Sequence, residues 1–320
     1  MSNSQLLHSD RKSIPGDGLV QMSRAALIRL KGQGGNLPLR AIRVRSHTSG
    51  AYLSRLRGRG MEFDEARPYQ AGDEIRNIDW RITARTGQPY SKLFREEKER
   101  VVTLWVDYRA PMYFATQGRF KSVLASEAAA MIAWSARKLG DRLGGLFFSE
   151  RGHRELRPRN NDRTTLRVIG LLAEYSQQAP QSSLPEQRRE AARSALLRIN
   201  RVTRPGSLIF LISDFRDLDV QGENHLTSLA RHNDLILLRL FDPLEAELPR
   251  AGRYSVSDGK QFIAIDSGDR ERCRAHREHY QLQQTHLEQI CRRHGIHLFQ
   301  CATNGDLASI LSNGLGRQAH

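Results

Sequence analysis

Val101-Val102-Thr103-Leu104-Trp105-Val106 is a near-continuous apolar run that ends at Asp107. A strand with one wet face alternates apolar and polar residues, whereas this pattern suits a strand buried on both faces, as in a parallel sheet. Residues 120–139 follow as an Ala-rich segment of helical length, with Val123, Ala129, Met131 and Ile132 among its apolar positions. Residues 142–148 read as a second strand, and Arg151-Gly152 turns it back into a short partner near 154–157. A helix comes next over 162–175, with Asn161 or Asp162 placed to cap it. Beyond a Pro/Ser/Gln loop at 177–185 lie a helix at 186–201, a strand at 207–213 ending in Asp214, and a helix at 224–232. A strand at 234–241, a long amphipathic helix at 270–294, a strand at 296–301 and a short helix near Leu307 complete the run. Strands alternating with helices predict an α/β fold: a doubly wound, mostly parallel sheet with right-handed crossovers and one antiparallel strand near an edge.

Upstream of the apolar run, residues 58–97 read GRGMEFDEARPYQAGDEIRNIDWRITARTGQPYSKLFREE. Arg67, Asp73, Arg76, Asp79, Arg81 and Arg85 are interleaved with Phe63, Tyr69, Ile75, Ile78 and Trp80, while Pro68 and Gly72-Asp73 force turns. The interleaving predicts an arginine–carboxylate lattice, with Asp73 and Asp79 each paired to an arginine and partly buried beside Trp80. Such a lattice serves either to dock the segment on its neighbour or as a substrate site. The order Glu62-Phe63, Arg67-x-Tyr69, Gly72-Asp73, Arg76-x-Ile78-Asp79-Trp80, Ala84-Arg85 resembles the signature of the bacterial domain of unknown function 58 family. In that family the signature precedes a von Willebrand factor A-like domain. The resemblance therefore implies a Rossmann-like von Willebrand A-like domain over 100–320 and a signature module over 61–99; residues 1–60 read, from their charge, as a basic extension lying on the rest of the molecule. The resemblance also implies a partner, a MoxR-type AAA+ ATPase acting in chaperone-like maturation or stress tolerance, with other von Willebrand A-domain proteins as further partners.

At 320 residues the chain can bury one large core or two ordinary ones. Its 50 Lys and Arg against 35 Asp and Glu give a net charge of +15. Within residues 1–60, eleven basic residues face only Asp10 and Asp17, a net of +9. A basic arm of this kind suits nucleic acid, an anionic membrane surface or an acidic protein partner. No helix-turn-helix, zinc-finger or single-strand-binding signature is legible, and an aromatic content of 7% is low for a stacking platform. Arginines also sit beside acids, as in Arg95-Glu96-Glu97 and Arg188-Arg189-Glu190, which favours protein contacts over nucleic acid. Residues 1–18, rich in Ser, Asn, Asp and Gly, read as disordered, and 19–30 has helical spacing. Cys273, Cys291 and Cys301 are scattered without a CxxC pair, which is cytosolic usage. No run of about 18 apolar residues and no leader pattern is present, although many members of the family carry transmembrane helices before the signature. The expectation is a soluble, cytoplasmic protein without a transmembrane segment.

Ligands of doubly wound sheets bind beyond the carboxyl ends of the strands. Asp107 and Asp214 stand at two such ends, and Thr164 and Thr165 open a helix on a loop expected to face the same crevice. Two carboxylates and a hydroxyl on converging loops could ligate Mg²⁺ through oxygen. The resemblance bears on this directly, because von Willebrand A-like domains often carry a metal-ion-dependent adhesion site built on Asp-x-Ser-x-Ser. Here the loop reads Asp107-Tyr108-Arg109-Ala110-Pro111, so Arg109 and Pro111 stand where the hydroxyl ligands belong. That implies a degenerate site of Asp107, Arg109, Thr164, Thr165 and Asp214 without bound metal, in which the Arg109 fork either reaches back toward Asp214 in place of the ion or points to solvent from a decayed site. Phosphate-loop, dinucleotide and nucleophile-elbow motifs are absent from the sequence. Cys273, His276 and His279 lie at i, i+3 and i+6 of a helix, a spacing that fans them apart rather than onto one ligating face. The expected role is a non-enzymatic adaptor or assembly factor without a cofactor. A metal-assisted hydrolase using Asp107 and Asp214 is the alternative, and a nucleic-acid-binding accessory protein using residues 1–60 is a further one.

Overall fold

A computed structural model describes residues 17–39, 61–70, 72–96, 99–178, 183–249, 252–257 and 262–316. The chain divides into two compact units, one of Thr48–Glu99 and one joining Met1–His47 to Arg100–His320. Two short helices, α1 (Arg24–Arg29) and α2 (Lys31–Gly34), belong to the larger unit. Ser23 caps α1 by accepting from the Ala26 amide, so the helix starts later than the 19–30 pattern suggests. Met22, Leu27, Leu37 and Leu39 are buried in the main hydrophobic cluster. Residues 17–39 thus contribute these side chains to the core, while Leu19, Val20 and Ile28 remain exposed. Residues 1–16 and 40–60, including the expected disorder of the N-terminus, fall outside the described residues.

In the smaller unit, β1 (Met61–Pro68) pairs antiparallel with β2 (Tyr90–Glu96), and α3 (Trp80–Thr86) lies between them in sequence. Gly87 ends α3 in the left-handed conformation at φ 71°, a region that glycine enters without a Cβ penalty.

The larger unit holds β3 (Val101–Asp107), α4 (Lys121–Lys138), β4 (Arg142–Ser149), β5 (Gly152–Arg159), α5 (Asp162–Ser176), α6 (Pro185–Val202) and β6 (Leu208–Ser213). These are followed by α7 (Val220–Ala230), β7 (Asp234–Phe241), α8 (Pro243–Ala246), β8 (Arg253–Ser257), β9 (Phe262–Asp266), α9 (Arg270–His294), β10 (His297–Ala302) and α10 (Leu307–Gly316). Six strands form one sheet in the order β10-β7-β6-β3-β4-β5, parallel throughout except for β5, which runs antiparallel to β4 at one edge. The central strands β3 and β6 are apolar without alternation because helices cover both faces. Residues of α1, α4, α5 and α10 pack on one face. Residues of α6, α7 and α9 pack on the other. Helix α4 is buried almost all round, wedged between the sheet and α1, α2 and α5, and its Ala-rich composition lets those neighbours approach.

Two elements depart from the sequence reading. Helix α7 starts at Val220 because Asp219 caps it, accepting from the Gly222 amide at 2.8 Å, four residues before the expected start. The antiparallel pair β8–β9 has no counterpart in the sequence reading. Among the described residues, no helix is long and apolar enough to cross a membrane.

Candidate functional site

At the carboxyl end of the sheet, β3, β6 and β7 lead into Asp107, Asp214 and Asp242. Asp107 is fully buried and heavily satisfied. Its oxygens accept from the Arg109 amide at 2.9 Å, from Arg109 Nε at 3.0 Å, from Arg109 Nη2 at 2.6 Å and from Ser213 Oγ at 2.6 Å. The Arg109 side chain, only 2% exposed, has doubled back on its own loop to make this fork. It also lies 3.9 Å from Asp214 Oδ1 and 3.5 Å from Asp217 Oδ2, and it donates to the Arg188 carbonyl at 3.0 Å. Its guanidinium carbon stands 5.8 Å from the centre of the Phe148 ring, within cation–π range.

A second buried cation completes the cluster. Lys121, the first residue of α4, is wholly buried and donates to Asp214 Oδ2 at 3.0 Å and to Glu245 Oε1 at 2.7 Å. An ammonium at a helix N-terminus opposes the helix dipole, so this placement depends on the two carboxylates facing it. Arg216, partly exposed at the rim, donates through its amide to Asp214 and through its guanidinium to Glu245. Arg188 donates to Asp217 at 3.1 Å. The network thus sets Asp107, Asp214, Asp217 and Glu245 against Arg109, Lys121, Arg188 and Arg216. Four negative charges meet four positive ones.

Burial alone would raise the Asp214 carboxyl, yet the Lys121 ammonium, followed by Arg216 and Arg109, holds it well below the usual carboxylate range. For Arg109, burial works against the charged form, and Asp107, then Asp214 and Asp217, outweigh it and keep the guanidinium protonated. Next to Asp214, Phe215 sits at φ 53°, the left-handed region a bulky residue rarely adopts. Strain of this kind persists only where the surroundings over-determine it, here through the Phe215 amide on Ser213 Oγ at 3.0 Å.

A divalent cation fits this arrangement poorly. The guanidinium of Arg109 lies against Asp107 and beside Asp214, and the ammonium of Lys121 takes the other oxygen of Asp214, so both carboxylates already face cations of the chain itself. Among the described residues, no group of three or more His, Cys, Asp or Glu could hold a metal ion.

Residues 65–288 match the model of a family described as protein of unknown function DUF58. The chain belongs to the DUF58 family. It is 29% identical over 217 residues to uncharacterized proteins of Mycobacterium tuberculosis (Rv1480) and Mycobacterium bovis (Mb1516), the match covering 67% of this chain and 65% of theirs. Among solved structures, it is similar to the conserved hypothetical protein BatB of Bacteroides thetaiotaomicron, at 14% identity and a TM-score of 0.41, covering 69% of this chain and 98% of that one. It is also similar to an aerotolerance-related membrane protein of Bacteroides fragilis, at 12% identity and a TM-score of 0.42, covering 68% and 99% of the two chains.

The other sequence-predicted residues of this DUF58 chain divide by place. Thr164 and Thr165 are buried in the first turn of α5 and do not meet Asp107. This is a correction with a topological cause. Strand β5 runs antiparallel to β4, with Arg159 opposite Leu143, and so returns the chain to the amino end of the sheet, where Asn161 caps α5. A strand of eight residues separates the two ends by about 25 Å. In the signature, Arg67 pairs with Asp73 at 2.8 Å. Asp79 pairs with no arginine among the described residues; it caps α3, accepting from the Arg81 and Ile82 amides, and lies 3.8 Å from Lys92 Nζ. Trp80 is 66% exposed, and Arg76, Arg81 and Arg85 are exposed as well, so the lattice expected around a half-buried Trp80 does not form. Cys273, His276 and His279 point to separate partners, the Ser267 carbonyl, the Leu244 carbonyl and Gln283.

Sequence reasoning missed Lys121, Ser213, Asp217, Glu245 and the buried Asp242. Asp242 accepts from the Thr116 amide and hydroxyl and from Thr303 Oγ1 at 2.6 to 2.8 Å, which ties the loop before α4 to the ends of β7 and β10. The signal for Asp242 was available, since it follows a strand as Asp107 and Asp214 do.

Proposed function

We propose that the larger unit is a von Willebrand factor A-like interaction domain whose metal position is filled by its own cations, and that the chain acts as a non-enzymatic adaptor. The observation carrying this reading is the double anchoring of the strand-end carboxylates, Asp107 by Arg109 and Asp214 by Lys121. In a site of that form the carboxylates are spent on holding loops, leaving no free base, nucleophile or open ligand position for hydrolysis. What remains accessible is the surface above it, including Arg216 at its rim. The signature resemblance makes a MoxR-type AAA+ ATPase the proposed partner, in the cytoplasm, and chaperone-like maturation or stress tolerance the setting. Pull-down of the full chain from native bacterial lysate, with and without ATP, tests it. Retention of an AAA+ ATPase by wild type, reduced by the rim substitution Arg216→Glu, is the expected result. Absence of any such ATPase under both conditions counts against the partner, and metal-dependent hydrolysis lost in Asp107→Asn counts against the adaptor reading.

A further inference from the structure

At the opposite, amino end of the sheet a cavity of about 510 Å³ opens between β5 and the last turns of α6. Arg142, Arg157, Arg159, Arg198 and Arg204 line it, with Glu155 as the acid among the lining residues. Glu155 is already taken, since Arg198 Nε donates to it at 2.8 Å. Some other surface arginines sit on acids, as Arg154 does on Glu174 and Arg193 on Asp219. Here Arg157, Arg159 and Arg204 have no carboxylate partner among the described residues, and Arg142 donates only to the Pro158 carbonyl. Exposed Arg157, Arg159 and Arg204 and half-buried Arg142 thus share one concave space with no carboxylate of the described residues paired to them, and like charges so placed repel one another. Their persistence around a concave space is the arrangement that recognises an oxyanion, which can take two parallel N–H donors from each fork.

A further feature points the same way. The edge strand is also shaped here: Arg157 and Pro158 together stand opposite the single residue Gly144, a β-bulge of the kind found where a strand re-aims its side chains. A Cβ on Gly144 would lie 2.7 Å from the Leu156 carbonyl oxygen, so glycine is what lets the bulge close onto β4. The carboxyl end of α6 contributes about half a negative charge, which works against an anion but is small beside four guanidiniums.

We infer that this cavity is a binding site for a phosphate-bearing ligand. The volume lies in the range of small-molecule sites, far more than a lone phosphate needs. Its walls carry aliphatic Leu156, Ile199 and Val202 but no aromatic ring, so the non-phosphate part is aliphatic rather than a stacked base. Two sources share that chemistry: a free di- or polyphosphate compound and the headgroup of an anionic phospholipid.

The test uses the full chain with inorganic pyrophosphate in calorimetry, and with phosphatidylcholine vesicles with and without phosphatidylglycerol in co-sedimentation. Saturable pyrophosphate binding is expected, weakened about tenfold by Arg204→Gln or Arg157→Gln, as loss of one charge-assisted fork predicts. The surface control Arg154→Gln should leave it unchanged. Vesicle retention that needs phosphatidylglycerol and is lost in the same variants assigns a lipid headgroup; pyrophosphate binding without vesicle retention assigns a free compound. No saturable binding in either arm, unchanged binding in Arg157→Gln and Arg204→Gln, or equal weakening in Arg154→Gln, overturns the inference.

Discussion

Arg109 stands on a fully buried carboxylate and is itself almost entirely buried, so its removal exposes Asp107 to the cost of an unmatched interior charge. Breaking such a pair costs about 3–5 kcal/mol. Arg109→Met should therefore lower the urea midpoint sharply while leaving far-ultraviolet circular dichroism native; a midpoint equal to wild type would mean the pair contributes nothing. Asp214 makes a separate prediction through pH. Its folded carboxyl titrates below its unfolded value, so the stability it contributes is complete above about pH 4 and is lost as pH falls through the depressed folded value. The stability gap between wild type and Asp214→Asn should be wide at pH 7 and shrink at pH 3, and a gap independent of pH would reject the ion-paired state. Asp107 and Asp214 were legible in the sequence because they close strands. Lys121 was not, since its partners Asp214 and Glu245 lie 93 and 124 residues away and nothing local distinguishes it from a solvated helix lysine.

Among the elements, β3, β6 and β7 announce themselves because burial on both faces leaves unbroken apolar runs. The same argument gives no direction in space, and that is why the start of α5 was assigned to the wrong end of the sheet. One antiparallel strand, β5, reverses the chain, and a hydroxyl at a helix start carries no mark of which end it faces. Helix α3 shows the opposite failure, in which an apolar and charged mixture suggested a buried lattice while the chain used Asp79 as a cap. Asp79→Ala should thus act as loss of a cap, lowering Tm by a few degrees rather than abolishing folding. Trp80→Ala, at an exposed position, should change stability by no more than about 0.5 kcal/mol, and a large loss from it in thermal unfolding would restore the buried lattice.

At the scale of the molecule, the α/β unit is a sheet with two unlike ends. At the carboxyl end the network around Asp107 and Asp214 is neutralised from within, four acids against four bases, while the cavity at the amino end holds four arginines with no carboxylate partner among the described residues. A net charge of +15 did not foretell this division, because composition counts charges without placing them. If Arg109 and Lys121 stand in for a metal, the stability of the whole chain should not depend on Mg²⁺. A true site would stabilise the fold by about 2.7 kcal/mol at a hundredfold excess over its Kd. The wild-type Tm should not move with Mg²⁺, and Arg109→Ala should be a destabilised variant whose Tm Mg²⁺ partly restores. A rise in the wild-type Tm with Mg²⁺ that disappears in Asp107→Asn would contradict this replacement of a metal by the chain's own cations.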